Sequence, residues 1–404
     1  MRPLPIVAAL LPNIHPHRKD RMNFLRRTLL SAACALALGQ TATLAQAQAI
    51  KIAGLYELSG AGATSGTNFR DGVALAVKEI NAAGGILGKQ IEHNASDTQT
   101  NPGVAKGLAT KAIDDNAFAV FGPVFSGSIM VSMAETKRAE VPNFTGGEAA
   151  AITKQGNPYI FRTSFTQETA MPKVARYLAN GLKAKTVAVM YVNNDFGKGG
   201  RDAIAKALAD VGVKVAADIS TDSGQIDFSA PVLKAKAANA DALFVYTNEE
   251  ESARALRELR KQGYNKPIVG ETTLTSQKVI ELAGDAANGA TGHVGLTVDA
   301  PNPQMLKFKA KFYQEYKYFC DHNGIKGYTG VYMLKAAIEK VGKLDRKAVA
   351  AALHGLSVSA AKNPGVLLDV TMDEKGDLDR ESYMVEVKEG RQVVKEVLPA
   401  LGKK

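Results

Sequence analysis

The stretch IKIAGLYELSGAGATSGTNFRDGVALAVKEINAAGGILGKQIEHN, residues 50–94, decides the fold. Residues 50–56 form a short apolar run typical of a buried strand. Residues 66–83 repeat apolar side chains at helical spacing and end at a glycine pair, which predicts a helix. Residues 91–94 predict a second strand. Strand, helix and strand in this order predict a parallel β-α-β unit.

The same alternation continues for most of the chain. Further strands are expected at residues 117–121, 141–144, 186–191, 213–219, 242–246, 268–269 and 294–298. Helices are expected at residues 104–115, 128–138, 199–211, 228–238, 252–262 and 276–283. The segment 159–169 separates two such series and is expected to be a connector. The sequence therefore predicts the α/β class, with two doubly wound parallel-sheet lobes.

The carboxyl-terminal part of the chain changes character. Helices are expected at residues 302–322, 328–342 and 346–353, followed by strands at 366–370, 382–387 and 392–396. Turn residues between these last strands predict an antiparallel finish. No linker rich in Pro, Gly or Ser divides the lobes, so we expect the chain to cross between them more than once within ordered elements.

Residues 1–49 are typical of a cleavable secretory signal. Arg26 and Arg27 precede the apolar run 28–39, and small-residue cleavage sites follow it. The run is shorter than the about 20 residues that span a membrane. Met22 offers an alternative start. We therefore expect a periplasmic protein that has lost this leader.

Charge and cysteine content exclude several functional classes. The leader carries six Lys or Arg and one Asp, so the formal net charge of +10 falls by 5 to +5 without it. The remaining basic residues are scattered among acids, and we expect no nucleic-acid partner. Removing the leader with Cys34 leaves Cys320 alone, which excludes an internal disulfide, a zinc site and a Cys-His dyad.

Catalytic and cofactor motifs are incomplete. Residues 60–62 (GAG) follow the first strand as a dinucleotide-binding loop would, but Ser65 stands where the third glycine belongs. The acidic residue about 20 positions on, Glu79, lies within a predicted helix rather than at a strand end. The sequence has no Walker loop and no Gly-x-Ser-x-Gly elbow. We therefore expect no catalytic residues, no metal and no cofactor.

Polar loops at the carboxyl ends of the first-lobe strands are candidate ligand groups, because open α/β sheets bind ligands there. Ser126 and Ser128 lie at a helix start, where a carboxylate fits the positive end of the helix dipole. Plain helix capping is an alternative for both hydroxyls, and it suits Ser128 better than Ser126. Gly146 and Gly147 offer bare backbone at the next strand end, where a ligand can approach closely.

Three loops of the second lobe are also candidates. Phe196 presents a ring beside a helix start, where Asp195 is the expected cap. Asn248 precedes three acids, residues 249–251, which the helix dipole alone explains in a first turn. Glu271 leaves a carboxylate at a strand end, suited to hold an ammonium group.

Motifs across residues 50–398 resemble the Leu/Ile/Val-binding family of periplasmic receptors, which have the type I solute-binding fold. These motifs are Leu58-Ser59-Gly60, residues 80–88 (INAAGGILG), residues 122–128 (GPVFSGS), Phe161-Arg162-Thr163, residues 194–197 (NDFG) and residues 227–229 (DFS). The resemblance implies two α/β lobes joined by three crossovers, with the ligand enclosed in the cleft by hinge closure. It also implies a monomer that captures a branched-chain type amino acid or a similar small carboxylate and delivers it to ABC permease subunits at the inner membrane.

The resemblance assigns the chain to two lobes. The N-terminal lobe comprises residues 50–164 and 298–367. The C-terminal lobe comprises residues 165–297 and 368–404. These boundaries are expectations from the family pattern.

The resemblance also carries over individual site residues. Ser126 and the backbone of Gly146 match the groups that hold the ligand carboxylate, and Ser65 and Phe125 match the cleft wall. Phe196 matches an aromatic residue that covers the ligand from the second lobe.

Two further positions follow from the same comparison. Asn248 falls near another aromatic position. Glu271, within one residue of Thr272, matches the acid that grips the amino group. The disulfide that some members carry is absent, with Thr100 and Phe125 at its positions.

Glu148 departs from the family pattern, which usually has a Thr or Ser hydroxyl there. A glutamate pointing inward would repel a carboxylate, or would bind an ammonium, amide or hydroxyl group. A second ligand class therefore stays open, an aromatic acid, amide or urea-like compound. An exported α/β enzyme is a remote third alternative.

Overall fold

The computed structural model describes residues 49–400. The expected secretory leader lies outside these residues, so that expectation stays a prediction. Among the described residues, no helix has the length and apolar character needed to cross a membrane.

The first sheet is parallel throughout and lies at the amino-terminal end of the described chain. Its strands are β1 (Ile50–Tyr56), β2 (Ile91–Asp97), β3 (Ala119–Phe121), β4 (Asn143–Thr145) and β5 (Ile160–Arg162). Their order is β2-β1-β3-β4-β5. The order reverses between β1 and β3, and doubly wound sheets bind ligands at such a switch point.

The second sheet repeats this arrangement. Its parallel strands are β6 (Thr186–Val192), β7 (Lys214–Thr221), β8 (Ala242–Tyr246), β9 (Ile268–Gly270) and β10 (Thr291–Val294). They are arranged as β10-β9-β8-β6-β7, so the switch point lies between β6 and β8. The predicted doubly wound α/β lobes are thus confirmed.

The last strands are antiparallel, as expected. A small sheet consists of β11 (Ser357–Val358), β12 (Val370–Met372) and β13 (Leu378–Asp379), and the second sheet is extended by β14 (Ser382–Lys388) and β15 (Arg391–Leu398). β14 pairs with β10 and β15 pairs with β14, both antiparallel. The strand expected at residues 366–370 is wrong in position, because residues 364–366 form a short 3-10 turn and pairing begins only at Val370.

Helices flank the two large sheets. They are α1 (Ala63–Ala82), α2 (Pro102–Asp114), α3 (Ser126–Arg138), α4 (Gln167–Arg176), α5 (Asp195–Asp210), α6 (Ser229–Ala237), α7 (Glu249–Lys261), α8 (Gln277–Ala283), α9 (Pro303–Tyr316), α10 (His322–Val341) and α11 (Arg346–Leu353). Helices α3, α5 and α7 begin earlier than the apolar periodicity predicts. Their first turns are rich in Ser, Gly and Glu, so the periodicity shows only from the second turn onward.

The expected connector 159–169 is wrong. It contains β5, which pairs in parallel with β4, and the start of α4. A three-residue strand is too short to show periodicity, and its burial is evident only in the fold, where Ile160, Phe161 and Arg162 are fully buried.

Two further expectations are corrected near the lobe junction. The strand expected at residues 294–298 lies at Thr291–Val294, where Gly292 and His293 interrupt the apolar pattern. The helix expected at residues 302–322 ends at Tyr316, because Lys317 takes a left-handed φ of 62°.

Helix α10 begins at His322 rather than at residue 328. Asp321 caps it, since its carboxylate accepts hydrogen bonds from the N–H groups of Asn323 at 2.8 Å and Gly324 at 3.3 Å. The polar first turn conceals this start in the sequence.

The lobe boundaries remain proposals. The side chains of Val370, Met372 and Leu378 pack in the core that surrounds β1 and α1. Arg162, at the end of β5, donates to Asp377 at 2.6 Å. These contacts favour a third crossover after β13 rather than between residues 367 and 368.

Helices α1 and α10 pack closely through glycines. A Cβ atom at Gly72 would lie 1.9 Å from the carbonyl oxygen of Gly324, and one at Gly327 would lie 2.3 Å from that of Phe69. Only glycine permits this approach. The close packing fixes the first turns of α1 and α10, which carry Ser65 and Lys326.

We expect Gly72→Ala to lower the free energy of unfolding by about 1–3 kcal/mol or more, because the added methyl group overpacks against a carbonyl. Gly107→Ala is the matched control, since that helical glycine has no atom within 4 Å of an added Cβ. The control should stabilise by up to about 1 kcal/mol. Urea unfolding measures both, and equal effects would contradict the packing argument.

Candidate functional site

A cavity of about 560 Å³ lies between the lobes at the carboxyl ends of the strands. Most of the predicted site residues line it, namely Ser65, Phe125, Ser126, Gly146, Glu148, Phe196 and Asn248. Glu271 is the exception. The volume is typical of a small-molecule site.

The start of α3 opens onto the cavity. The N-cap position is Phe125, whose side chain cannot cap, so the interpretation of Ser126 and Ser128 as plain caps is wrong. The Ser126 hydroxyl oxygen accepts from the Ala149 N–H at 3.3 Å, which leaves its proton available to a ligand. Ser126, Gly127 and Ser128 all line the cavity, and the N–H groups of a first helical turn have no partner within the helix.

Glu57 positions the loop before α3. Its fully buried carboxylate accepts from the N–H groups of Val124 at 3.1 Å and Phe125 at 3.0 Å. Burial raises the pKa of Glu57 to about 7, although these hydrogen bonds oppose the rise. Glu57 is not among the site residues predicted from the sequence. An acid directly after a buried strand was the available signal.

Arg162 positions the loop that carries Glu148. Its fully buried guanidinium donates to the carbonyl oxygens of Gly147 at 2.6 Å and Ala149 at 3.0 Å. The flanking peptide groups are therefore fixed, and the Glu148 side chain has a defined direction.

Glu148 points into the space between the lobes and is paired there. Its carboxylate accepts from the Lys326 ammonium at 2.9 Å and from the Tyr246 hydroxyl at 3.2 Å. Lys326 also donates to the Gly146 carbonyl at 3.2 Å. Both members of the ion pair are buried. The inward glutamate is thus compensated by a cation from α10.

The electrostatics of Glu148 follow from this packing. Burial raises its pKa to about 7, and the nearby Glu271 carboxylate adds to the rise, whereas the Lys326 ammonium opposes it. Glu148 is therefore a carboxylate that is easily protonated when the cavity is empty.

Glu271 lies behind the cavity wall. It is buried and accepts from the Thr272 hydroxyl at 2.6 Å, while His293 Nδ1 lies 3.1 Å from the same oxygen. Its other oxygen has no hydrogen-bond partner among the described residues. Burial raises the pKa of Glu271. From this loop, Thr273 lines the cavity.

The second lobe contributes an aromatic wall. The Phe196 ring is stacked on Tyr246, with centroids 4.2 Å apart and planes 23° apart. Asn194, and not Asp195, caps α5 by accepting from the Gly197 N–H at 2.9 Å. The Asn248 amide donates to Glu251 at 3.3 Å.

The first turn of α7 connects the lobes. Glu249 lines the cavity and accepts from the Ser65 hydroxyl of α1 at 2.7 Å. Glu250 accepts from Thr64 at 3.2 Å. Burial raises the pKa of Glu249 to about 8, and the Asp321 carboxylate adds to the rise. Because Glu249 is buried and faces the other lobe, the helix dipole alone does not account for it.

The first turns of α10 supply cavity residues that the sequence analysis missed. They are His322, Asn323 and Lys326. The cap signal at Asp321 would have placed the helix start, and with it these side chains, at the cleft. Among residues 49–400, no group of His, Cys, Asp or Glu is arranged to hold a metal ion.

Comparisons of sequence relate the chain to known receptors. A protein-family model described as "Periplasmic binding protein" matches residues 49–392. The leucine-, isoleucine-, valine-, threonine- and alanine-binding protein of Pseudomonas aeruginosa is 29% identical over 364 residues, covering 89% of this chain and 95% of that protein. The Leu/Ile/Val-binding protein of Escherichia coli K12 is 26% identical over 362 residues, covering 88% and 95%.

Comparisons of structure agree. The branched-chain amino acid transporter substrate-binding protein LivJ of Streptococcus pneumoniae, solved with isoleucine, aligns with a TM-score of 0.79 and 26% identity over 87% of this chain and 100% of that one. A solute-binding protein of R. palustris in complex with benzoate has a TM-score of 0.81 and 21% identity over 88% and 98%. The second likeness shows the fold alone.

The buried carboxylates make stability depend on pH. The folded-state pKa values of Glu57, Glu148 and Glu249 are about 7, 7 and 8, above their ordinary value of 4.5. The folded state retains these protons after the unfolded state has lost them, so their stabilisation is present at low pH and is lost as the pH rises through the folded values. We expect the free energy of unfolding to fall between about pH 7.5 and 8.5, above the ordinary histidine pKa of 6.5, where the buried histidines no longer contribute an opposite slope.

Glu249→Gln should flatten this decline, because one of the three titrating groups is removed. The exposed Glu396 gives the control variant, Glu396→Gln, which should keep the full slope. Denaturant unfolding at several pH values measures the effect. An unchanged slope in Glu249→Gln would refute the assignment.

Proposed function

The chain belongs to the periplasmic binding protein family, and on that premise we propose that it is a receptor that captures a small amino acid in the cleft for an ABC importer. Its relatives are named as Leu/Ile/Val-binding proteins, and the chain covers nearly their whole length. The amino acid would be held between the two lobes, as hinge closure requires contacts from both.

One observation carries the proposal. The start of α3 faces the cavity with the Ser126 O–H and the first-turn N–H groups available. A helix N-terminus is a favourable site for an anion, because unpaired N–H groups and the helix dipole both stabilise negative charge. A ligand carboxylate is the group that best matches this wall.

The Glu148–Lys326 pair is compatible with such a ligand. An unpaired glutamate would repel the carboxylate, but Lys326 compensates Glu148 at 2.9 Å. The Ala149 N–H donates to the hydroxyl oxygen of Ser126, which is the expected partner of the ligand carboxylate. Glu148 is the residue before Ala149, so it lies close to the expected carboxylate position. The ligand α-ammonium is therefore expected at Glu148, while Glu271 lies behind the cavity wall.

A second candidate ligand is an aromatic acid. The stack of Phe196 on Tyr246 offers a flat apolar face, and Phe125 lines the same cavity. A benzoate-type ring would pack on these side chains with its carboxylate at α3. Such a ligand would leave the acidic groups of the cavity without a cation.

We further propose a non-enzymatic role. The protein would work as a monomer in the periplasm and deliver its ligand to permease subunits, with small-molecule ligand and permease as its partners. Recovery of the ligand unchanged after prolonged incubation with the protein supports this role. Conversion of the ligand to a product would instead favour an exported α/β enzyme.

We expect calorimetry with the common L-amino acids and with benzoate to find a ligand among the amino acids. Ser126→Ala should weaken its binding by about tenfold to a hundredfold, because one hydrogen bond to a charged group is lost. A saturating ligand at a hundred times its Kd should also add about 2.7 kcal/mol to the free energy of unfolding.

Ser132→Ala is the matched control. Ser132 is buried in the same helix, bonds only weakly to the Ile129 carbonyl at 3.4 Å, and does not line the cavity. If both variants bind alike, the carboxylate assignment fails. If benzoate binds and no amino acid does, the aromatic-acid alternative replaces the amino-acid proposal.

A further inference from the structure

The walls of the cavity carry more acidic side chains than basic ones. Its lining includes the carboxylates of Glu148, Asp195 and Glu249, whereas Lys326 is the cation among the described lining residues. Lys326 is already paired with Glu148. Behind the wall, the buried Asp321 adds a further acid beside Glu249. Glu148 therefore has a cationic partner, whereas the acids around Glu249 do not have one among the described lining residues.

Glu249 is the acid that stays uncompensated. Its side chain is buried, at 4% exposure, and its contacts are the Ser65 hydroxyl at 2.7 Å and the Asn323 amide at 3.5 Å. No cation of the described chain lies within ion-pair distance of Glu249. Burial keeps this carboxyl group largely protonated near neutral pH, and a cation that enters with the ligand would favour its ionised form.

His322 gives an independent indication of a missing partner on the same wall. It lines the cavity at 6% exposure, and its Nδ1 is buried without a hydrogen-bond partner among residues 49–400. Burial and the Lys326 charge hold its pKa well below the ordinary value, so the ring is neutral. A neutral imidazole has one acceptor nitrogen, which a ligand N–H group can satisfy.

The α-ammonium of the ligand is already assigned to Glu148, so it does not count as the partner of Glu249. That group is bonded to the same carbon as the carboxylate, so it is expected near the carboxylate position at Ser126. Glu249 belongs to α7 of the second lobe. With the α-ammonium at Glu148, a second nitrogen group on the ligand side chain is the one left to bind Glu249.

We propose that the ligand carries a second, positively charged nitrogen group that binds Glu249, so that the receptor takes a basic amino acid rather than an aliphatic one. This inference rests on the proposed amino-acid receptor function. The second nitrogen group would take the place of a protein cation beside Glu249. It would also stabilise the closed cleft, because Glu249 already bonds across the lobes to Ser65.

L-Lysine and L-norleucine test the inference, since they have the same carbon chain and differ by the terminal ammonium group. Calorimetry on the full protein should show lysine binding at least about tenfold more tightly than norleucine or leucine. Glu249→Gln should abolish this preference, so that lysine binds the variant no more tightly than norleucine does.

Glu250→Gln is the control variant. Glu250 is the next residue of the same turn and also bonds across the lobes, to Thr64 at 3.2 Å, but it does not line the cavity. The control should keep the preference for lysine. The wild-type comparison of lysine with norleucine stands even if Glu249→Gln does not fold.

The outcomes separate the two proposals. If norleucine or leucine binds as tightly as lysine, the inference about Glu249 is overturned while the amino-acid receptor stands. If none of the amino acids binds, the proposed function itself fails, and the inference fails with it.

Discussion

The buried ion pair between Glu148 and Lys326 is the interaction on which the rest of the site depends. Glu148 lies in the loop after β4, and Lys326 comes from the helix that packs on α1 through glycines, so the pair joins the site to the core of the lobe. Tyr246 adds a hydrogen bond from the second lobe. An unpaired carboxylate here would be costly to bury, and it would repel a ligand carboxylate. The ammonium group of Lys326 resolves both problems at once.

The second lobe then provides a different chemistry. The Phe196–Tyr246 stack gives an apolar face, whereas Glu249 gives an acidic one that no described cation neutralises. An amino acid meets both lobes if its carboxylate lies at α3 and its side chain extends toward α7. We therefore expect this cavity to prefer a more polar ligand side chain than a purely aliphatic site does.

Much of the fold could be predicted from the sequence, because long elements have clear periods. The expected bounds are found for β1, β8 and α11. The last strands, β14 and β15, are antiparallel, as the turn residues predict. Short elements could not be predicted. The three residues of β5 are too few to show a period, and their burial depends on neighbours distant in sequence.

The site was predictable where residues lie in the loop that follows a strand, as Ser126, Gly146 and Glu148 do. Lys326 could not be placed, because its position depends on where α10 begins and how closely that helix approaches α1. Glu249 was visible as one of three adjacent acids, but only the structure distinguishes the one that faces the cavity. The same dependence on packing explains why Glu271 lies behind the wall rather than on it.

A double-mutant cycle on the free energy of unfolding tests the central claim most directly. The four proteins are the wild type, Glu148→Gln, Lys326→Met and the double variant, measured without ligand at about pH 8, where Glu148 is ionised according to its pKa of about 7. The account predicts that Lys326→Met alone loses about 3–5 kcal/mol, because it leaves a buried charge unpaired, and that the double variant recovers most of this loss. If the double variant loses the sum of the two single losses, Glu148 and Lys326 are not coupled and the account is wrong.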